Sequence, residues 1–390
     1  AEMFGGGADF VLVVGDEGAV LCEVRGRDII QRLFAASPAE ADEIRRVLEA
    51  RPRRPVSLLI DVLDIVIQRE TLPALAPWES EAVVRRRMAK AFGGFPFTGG
   101  RPIGREGGER RERIYLLAGV APSPGIERWN RFLGSLPNPV DRVALLPVEA
   151  SASLTRLTRS LGEARSAWQV LLTRERTGGF RQVICKDGAI VFSRLTRTVE
   201  PDAEADAVAA AIEQEFAQTI DYMKRLGFTS GDGLDLVIVA AESERGALAG
   251  LPFDATNLLL ITPFEAAGLL GLGRCVTPDD AYSDLVHALA HAQRARPRLR
   301  LMSEAMATAA RNERMRRRGY MLAAGLALAG AVLLIFRAAD YYAVRTDMAE
   351  TERQRRAARS ELMSVESALA DVPGPRDERL AELRSWEALS

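Results

Sequence analysis

Apolar and polar positions alternate along residues 9–300 in a way that predicts short strands interleaved with helices. Apolar stretches at 9–14 and 19–24 flank a Gly-Asp-Glu-Gly turn and predict a hairpin. A stretch rich in β-branched residues follows at 56–72. The pattern then predicts a helix at 79–92, a strand at 114–120, a helix at 125–133, a strand at 143–146 and a helix at 148–161.

The second half of this region repeats the same plan. The pattern predicts a strand at 168–173, a hairpin over 180–185 and 189–194, a helix at 203–226, strands at 234–240 and 258–261, and a helix at 279–295. Two copies of one plan predict a duplicated α/β architecture, with lobes at 1–162 and 163–300 and a cleft between them. The Gly- and Arg-rich segment 95–113 predicts a mobile loop, and an anionic-ligand site there is the less favoured alternative.

An uncharged apolar run of 18 residues covers Gly319–Phe336 and is bounded by Arg318 and Arg337. As a helix it spans about 27 Å, enough to cross a hydrocarbon core when the flanking arginines reach toward the headgroups. A buried core helix is the alternative, but arginines at the entry argue against it. The predicted anchor includes Gly319, Leu326, Leu328 and Phe336.

Flanking charges predict the orientation of this segment. Residues 304–318 carry five arginines and residues 337–351 carry two. The positive-inside rule therefore places 1–318 in the cytoplasm, with a basic juxtamembrane segment at 301–318 facing anionic lipid, and 337–390 in the periplasm. The arginines on the cytoplasmic side are Arg311, Arg314, Arg316, Arg317 and Arg318.

Two further patterns predict helix association. Ala323, Ala327 and Ala331 form a small-residue face within the apolar run, although alanine is also simply common in membrane helices. Heptads over 341–369 predict a coiled coil and a homodimer, with one amphipathic helix on a partner as the alternative. Pro373-Gly374-Pro375 then breaks the helix, and 377–389 resumes a helical pattern. The predicted coiled-coil contacts include Tyr341, Val344, Met348, Leu362, Val365 and Leu369.

Composition excludes several classes of protein. The chain of 390 residues is 47% hydrophobic and 27% charged, which is incompatible with a disordered chain. Its 52 basic and 53 acidic residues lack the excess of positive charge typical of a nucleic-acid binder. Three separated cysteines argue against a disulfide scaffold and favour a reducing compartment. The two histidines, His287 and His291, have a spacing that can hold a metal, but no third ligand is near in sequence.

Two stretches carry a resemblance to a known family. Residues 181–194, RQVICKDGAIVFSR, are similar to the strand, turn and strand of the actin-like PilM family, and the helix over 212–222 resembles the one that follows there. GspL-type relatives join such a domain to a membrane helix, and 298–302 resembles the start of a PilN-type protein. The resemblance implies a duplicated actin-like (ribonuclease H-like) domain at the bacterial inner membrane, in a type IV pilus or type II secretion machine.

In the family pattern, three segments contact ATP, and this chain departs from the pattern in each of them. The first hairpin keeps Asp16 and Gly18 but lacks the Ser/Thr and Lys that should follow. The second turn has Thr177, Gly178 and Gly179 in place of Asp-x-Gly, and Ala240-Ala241 stands where a Gly pair should be. These residues read as a degenerate phosphate loop, so neither catalysis nor a cofactor is expected, and ATP binding is a disfavoured option.

The sequence therefore favours a non-catalytic scaffold with a single membrane helix. The resemblance implies that its partners are a secretion or pilus assembly ATPase, an inner-membrane platform protein, and a PilN/PilO- or GspM-like protein. An ATP-binding conformational switch in the same kind of machine is the second hypothesis. An unrelated signalling receptor is the third, but 337–390 is short for a sensor domain.

Overall fold

The computed structural model describes residues 10–73, 77–106, 112–162, 166–196, 203–229, 231–370 and 375–387. The chain divides into two units, Ala1–Ala307 and Thr308–Ser390. The first unit holds the elements predicted for the two lobes. It also includes residues 301–307, which the sequence assigns to the juxtamembrane segment.

The strands of the first unit follow one another in chain order. They are β1 (Phe10–Gly15), β2 (Ala19–Arg25), β3 (Asp28–Ala35), β4 (Val56–Asp61), β5 (Ile65–Leu72), β6 (Phe97–Glu106), β7 (Glu112–Val120), β8 (Val140–Leu145), β9 (Trp168–Glu175), β10 (Gly179–Lys186), β11 (Ala189–Thr196), β12 (Leu234–Val239) and β13 (Asn257–Ile261). The α-helices between and after them are α1 (Asp42–Glu49), α2 (Pro77–Ala91), α3 (Pro124–Gly134), α4 (Leu146–Leu157), α5 (Ala205–Arg225), α6 (Glu242–Ala249), α7 (Pro263–Leu269) and α8 (Asp284–Ala292).

Two five-stranded sheets have the same topology. The first has the order β3-β2-β1-β4-β8 and the second β11-β10-β9-β12-β13. In each, the first three strands are antiparallel and the last two run parallel to the central strand. This is the duplicated actin-like, ribonuclease H-like plan, so the expected fold class is confirmed.

The central strands of the two five-stranded sheets are buried. Every residue of β1, β4, β9 and β12 is buried, as expected for strands covered on both faces. Helix α5 packs its apolar stripe, which includes Ile212 and Phe216, on the second sheet. Helix α8 follows the second sheet in sequence but packs against β1 and β2 of the first. The chain thus returns to the first lobe before it leaves the unit.

A third sheet, β5-β7-β6, corrects two sequence-based expectations. The stretch 56–72 is not one element: β4 and β5 lie in different sheets. The expected mobile loop at 95–113 is wrong for residues 97–106 and 112–113, which form β6 and the start of β7, while 107–111 lie outside the described residues. Gly99 and Gly100 pair with β7, and these strand positions hold glycine because neighbouring atoms approach too closely for a side chain.

Besides β6, the sequence pattern did not predict four further elements: β3, α1, α6 and α7. Strand β3 is only partly buried and carries polar residues such as Gln31 and Arg32, so it lacks a continuous apolar run. The helices have 7 or 8 residues, too short for a periodic stripe to stand out.

The described residues of the second unit are almost all helical. Helix α9 (Glu304–Ala370) has 67 residues and begins at the end of the first unit, and α10 (Arg376–Glu387) follows it. The predicted apolar run and the predicted heptads are thus parts of one continuous helix of about 100 Å. Of the predicted break at 373–375, residues 373 and 374 lie outside the described residues. Residue 375 is described and directly precedes α10.

Candidate functional site

The two turns that sequence analysis selected meet at the junction of the lobes. The amide of Glu17, in the β1–β2 turn, donates to the carbonyl oxygen of Thr177, in the β9–β10 turn, over 2.8 Å. Gly15 permits this approach, because a side chain there would collide with the same carbonyl group. The two turns are therefore in direct backbone contact.

Asp16 and Gly18 have local structural roles in the first turn. The Asp16 carboxylate accepts from the amide of Leu63 at 2.6 Å, and burial raises its pKa above the usual value. Gly18 has a φ of 145° and lies against the carbonyl oxygen of Ala35, so it joins the turn to the end of β3. Both residues therefore take part in contacts within the first lobe.

Thr177 is completely buried and is held by Asp284 at the start of α8. One oxygen of the Asp284 carboxylate accepts from the Thr177 amide at 3.1 Å and from its hydroxyl at 2.7 Å. The other oxygen accepts from the Arg176 amide at 2.6 Å. Gly178 faces Asp61 of β4, and Gly179 is the first residue of β10.

A buried ion pair also joins the lobes. The Arg181 guanidinium on β10 donates to the Asp61 carboxylate at 2.7 Å and to the Val62 carbonyl oxygen at 3.0 Å. Side-chain exposure is 2% for Arg181 and zero for Asp61. Burial raises the pKa of Asp61 to about 6, against the opposing effect of the guanidinium. Truncating either partner would leave an unpaired charge in the interior.

His287 and His291 occupy buried positions on α8 and have different partners. His287 lies 3.2 Å from the Glu175 carboxylate at the end of β9, and His291 lies 2.7 Å from the Ser57 hydroxyl on β4. Burial acts to lower the pKa of His287, but Glu175, Asp61 and Asp284 together outweigh it and the pKa is raised. Among the described residues, no group of three ligands is arranged to hold a metal.

The residues at the junction do not fit a nucleotide phosphate. The amides of Glu17, Arg176 and Thr177, which would have to donate to phosphate oxygens, already donate to protein acceptors. The nearest side chains include the buried acidic residues Asp61, Glu175 and Asp284. Burial together with Glu175 already raises the pKa of Asp284 to about 7, so a further negative group such as a phosphate would be opposed here. Neither turn supplies a lysine.

A second feature lies where the chain leaves the first unit. The segment 298–302, here called the strap, runs between the edge strand of the first sheet and the edge strand of the third. The Leu301 amide donates to the Val143 carbonyl oxygen of β8 at 2.8 Å. Met302 and Thr98 of β6 exchange two backbone hydrogen bonds, of 2.9 and 3.1 Å. The strap therefore bonds to both sheet edges.

Side chains fix the strap as firmly as its backbone does. Leu299 and Leu301 are 1% and 0% exposed and belong to the main core. The Arg298 amide donates to the Glu149 carboxylate of α4 at 2.5 Å, and Arg101 of β6 donates to the Arg298 carbonyl oxygen. Ser303 then caps α9 by accepting from the Met306 amide at 3.2 Å.

Helix α9 continues from the strap and carries the remaining predicted residues. Within the described chain one helix is long and apolar enough to cross a membrane, judged by length and composition, and it contains the run that ends at Phe336. Leu326, Leu328 and Phe336 are 75%, 69% and 67% exposed, and Gly319 lies on the same helix. The predicted packing residues Ala323, Ala327 and Ala331 are exposed.

The charged and heptad residues lie on the same helix. The five predicted arginines, Arg311 to Arg318, are within α9, and their side chains lie outside the description. Among the heptad positions, Tyr341, Val344, Met348, Leu362 and Val365 are exposed, and Leu369 lies on the same helix. An exposed heptad face is available for a partner.

Sequence reasoning missed the residues that close the junction. Asp61, Glu175, Arg181 and Asp284 were not selected, although each is a charged residue in or beside an apolar segment. That position is itself a signal, because a charge in a buried strand needs a buried partner. The pairing is not readable from sequence, since 120 residues separate Asp61 from Arg181.

Comparisons with known proteins agree with this fold. No family model and no curated protein matches the chain. Among solved structures, it is similar to the "PilM-PilN type IV pilus biogenesis complex", with a TM-score of 0.51 and 16% identity over 74% of this chain and 99% of that one. The cytoplasmic domain of EpsL, an inner-membrane component of the type II secretion system of Vibrio cholerae, matches with a TM-score of 0.35 and 12% identity over 59% and 81%. A Bacteroides thetaiotaomicron protein of actin-like ATPase fold matches with a TM-score of 0.40 and 9% identity over 69% and 98%.

Proposed function

We propose that this chain, whose first unit has a PilM-type actin-like fold, is a non-catalytic scaffold of a type IV pilus or type II secretion-like machine. It spans the bacterial inner membrane once, with its first unit in the cytoplasm and residues 337–390 in the periplasm. The observation that carries the proposal is the strap, which is built into two sheets and continues directly into a helix able to cross a membrane.

The strap is suited to couple the membrane helix to the folded body. A flexible linker would only restrict diffusion of the body, whereas a segment with two buried leucines and backbone bonds to β6 and β8 resists displacement. Peeling it away would expose Leu299 and Leu301 and break bonds to two sheets at once. A force or a shift applied to the helix therefore reaches the lobes through a short ordered path.

The closed junction supports a scaffold over an ATP-driven switch. A switch of this fold needs a cleft that admits nucleotide and lobes that move when it binds. Here the turns hydrogen-bond to each other, and the Arg181–Asp61 pair crosses between the lobes. Opening would expose buried charges without a replacement partner, so we assign the first unit a fixed shape and no nucleotide.

The fold shared with the PilM-PilN complex leads us to propose the partners. These are a cytoplasmic assembly ATPase of the pilus or secretion type, an inner-membrane platform protein, and a PilN/PilO- or GspM-like protein that pairs with the helix outside the membrane. We also propose a homodimer through the small-residue face and the heptads of α9.

Two measurements on the full chain test the proposal. In membranes of a bacterium that expresses it, the chain should resist carbonate extraction, and protease added to spheroplasts should remove a tag after residue 390 but not a tag before residue 1. Affinity capture after crosslinking should recover an assembly ATPase. Recovery in the soluble fraction, or digestion of the amino-terminal tag in intact spheroplasts, would refute the membrane topology.

Nucleotide binding is tested separately. Calorimetry of the full chain in detergent with ATP and Mg²⁺ should give no binding heat above that of buffer dilution. Micromolar affinity would instead support the conformational switch.

A further inference from the structure

The β9–β10 turn has the geometry of an oxyanion site. Two successive backbone amides, of Arg176 and Thr177, and the Thr177 hydroxyl converge on the two oxygens of one carboxyl group. The Arg176 amide donates to one oxygen at 2.6 Å, and the Thr177 amide and hydroxyl donate to the other at 3.1 and 2.7 Å. Converging amides of this kind form a concave site for a carboxylate or a phosphate. The occupant in this protein is the Asp284 carboxylate.

Asp284 reaches this site from the other lobe. It is the first residue of α8, which packs against β1 and β2 of the first sheet, whereas the turn belongs to the second sheet. Asp284 is 2% exposed and Thr177 is fully buried, so the contact is shielded from water. A backbone hydrogen bond lies beside this contact: the amide of Ser283, which precedes Asp284, donates to the Arg174 carbonyl oxygen of β9 at 2.8 Å.

We propose that the Asp284 carboxyl group is a built-in occupant of the oxyanion site of the β9–β10 turn and holds the two lobes together without a soluble ligand. The proposal rests on the proposed function, in which the first unit keeps a fixed shape. It deepens that function by naming the group that replaces a ligand, and it predicts what the emptied site would take: a small tetrahedral oxyanion, such as inorganic phosphate.

The test removes the carboxylate and offers phosphate in its place. Thermal unfolding of the full chain in detergent is followed with and without sodium phosphate, the ionic strength being matched with chloride. We expect Asp284→Ala to lower the Tm by several degrees and phosphate to restore part of the loss. Wild-type protein should show no shift with phosphate, because its site is filled.

Glu244→Ala is the matched control. Glu244, like Asp284, has a buried carboxyl group, but it lies in the second lobe, where it pairs with Arg174 and accepts from the Ala241 amide, and it does not contact the turn. We expect it to lower the Tm with no recovery in phosphate. Equal recovery in both variants, no loss in Asp284→Ala, or an equal phosphate shift in wild-type protein would each overturn the proposal.

A double-mutant cycle keeps the proposal testable if Asp284→Ala does not fold. Asp284→Asn retains the size of the side chain but places an NH₂ group against one of the donors, and Thr177→Val removes only the hydroxyl. The two losses in stability should be strongly non-additive, because both substitutions break the same contact. Additive losses would overturn the proposal. Neither experiment depends on membrane topology or partner capture, so a failure here is distinguishable from a failure of the proposed function.

Discussion

At the scale of single residues, the lobes are joined by charges that lie where water cannot reach them. Asp61, Glu175, Arg181, His287 and Asp284 are all buried at one junction. Such groups contribute little net stability when they are paired and cost a great deal when one partner is lost. We therefore expect a substitution at this junction to lower the free energy of unfolding by more than the number of removed atoms would suggest.

The Arg181–Asp61 pair gives the first prediction. Arg181→Met should lower the free energy of unfolding by about 3–5 kcal/mol, because it leaves the Asp61 carboxylate buried without its partner. Chemical denaturation of the full chain in detergent measures the change. Arg194→Met on β11 is the control, since Arg194 is 30% exposed where it pairs with Glu215, and it should cost less than about 1 kcal/mol. Similar losses in the two variants would contradict the prediction.

The same junction predicts how stability depends on pH. Burial raises the pKa of Asp61 to about 6, and burial together with Glu175 raises the pKa of Asp284 to about 7. The pKa of His287 is also raised, since Glu175, Asp61 and Asp284 together outweigh the effect of burial. The folded chain thus keeps protons that the unfolded chain releases. In the unfolded chain the two aspartates lose their protons above about pH 4 and the histidine loses its proton above about pH 6.5.

Stability from this source should therefore fall as the pH rises. The aspartates contribute a loss between about pH 4 and 7, and the histidine contributes stability that is present below about pH 6.5 and lost as the pH passes through its raised pKa. Denaturation midpoints of the wild-type chain at pH 5, 6.5 and 8 should decrease in that order. His287→Gln should give a flatter profile, and parallel profiles would show that the junction does not set the dependence.

At the scale of elements, the strap is the feature on which the coupling of membrane and body depends. Leu301→Asp places a charge at a position with no exposure, and should release the strap from β6 and β8 while the central sheets persist. Limited trypsin digestion of the full chain in detergent should then cut at Arg298 and Arg300 much faster than in wild-type protein. Leu301→Met, which conserves volume, should keep the wild-type rate. Equal cleavage rates in all three proteins would contradict the prediction that Leu301 holds the strap on the two sheets.

The apolar part of α9 gives a separate prediction. Leu328→Arg, near the middle of the run, should cost about 2.5–3.5 kcal/mol of membrane insertion and move protein from the membrane to the soluble or aggregated fraction. Leu362→Arg changes an equally exposed leucine of the same helix outside the run and should leave fractionation unchanged. Retention of both variants in carbonate-washed membranes would contradict a span at 319–336.

Elements also set the limit of what the sequence can reveal. A central strand such as β1 was predictable because a strand buried on both faces is a continuous apolar run. Strand β6 was not, because its glycines serve close packing: Gly99 faces the Arg300 carbonyl group of the strap, and Gly100 faces Leu117 and Met88. Glycine in a strand and glycine in a loop look alike until the neighbouring chain is known. The junction was hidden for the same reason, since Asp284 and Thr177 are far apart in sequence.

At the scale of the whole molecule, the one continuous helix α9 carries both the apolar run and the heptads, so association in either part favours association in the other. The three native cysteines are buried in the first unit, which leaves the helix free for single-cysteine crosslinking. In the proposed homodimer the heptad positions face the second chain, whereas Ser360 lies two residues from the seam and points away from it. Leu362→Cys should therefore form a disulfide-linked dimer in oxidised membranes, and Ser360→Cys should form much less.

The comparison of these two positions also decides between the two arrangements that the heptads allow. A parallel homodimer brings identical residues together, so Val365→Cys should crosslink as Leu362→Cys does. A helix that pairs with a different protein would give a mixed disulfide of another mass and little dimer from either position. Equal dimer yield from Ser360, Leu362 and Val365 would mean that chance collision, and not a heptad seam, brings the helices together. The position that crosslinks thus reports whether the scaffold presents its partners with one body at the membrane or with two.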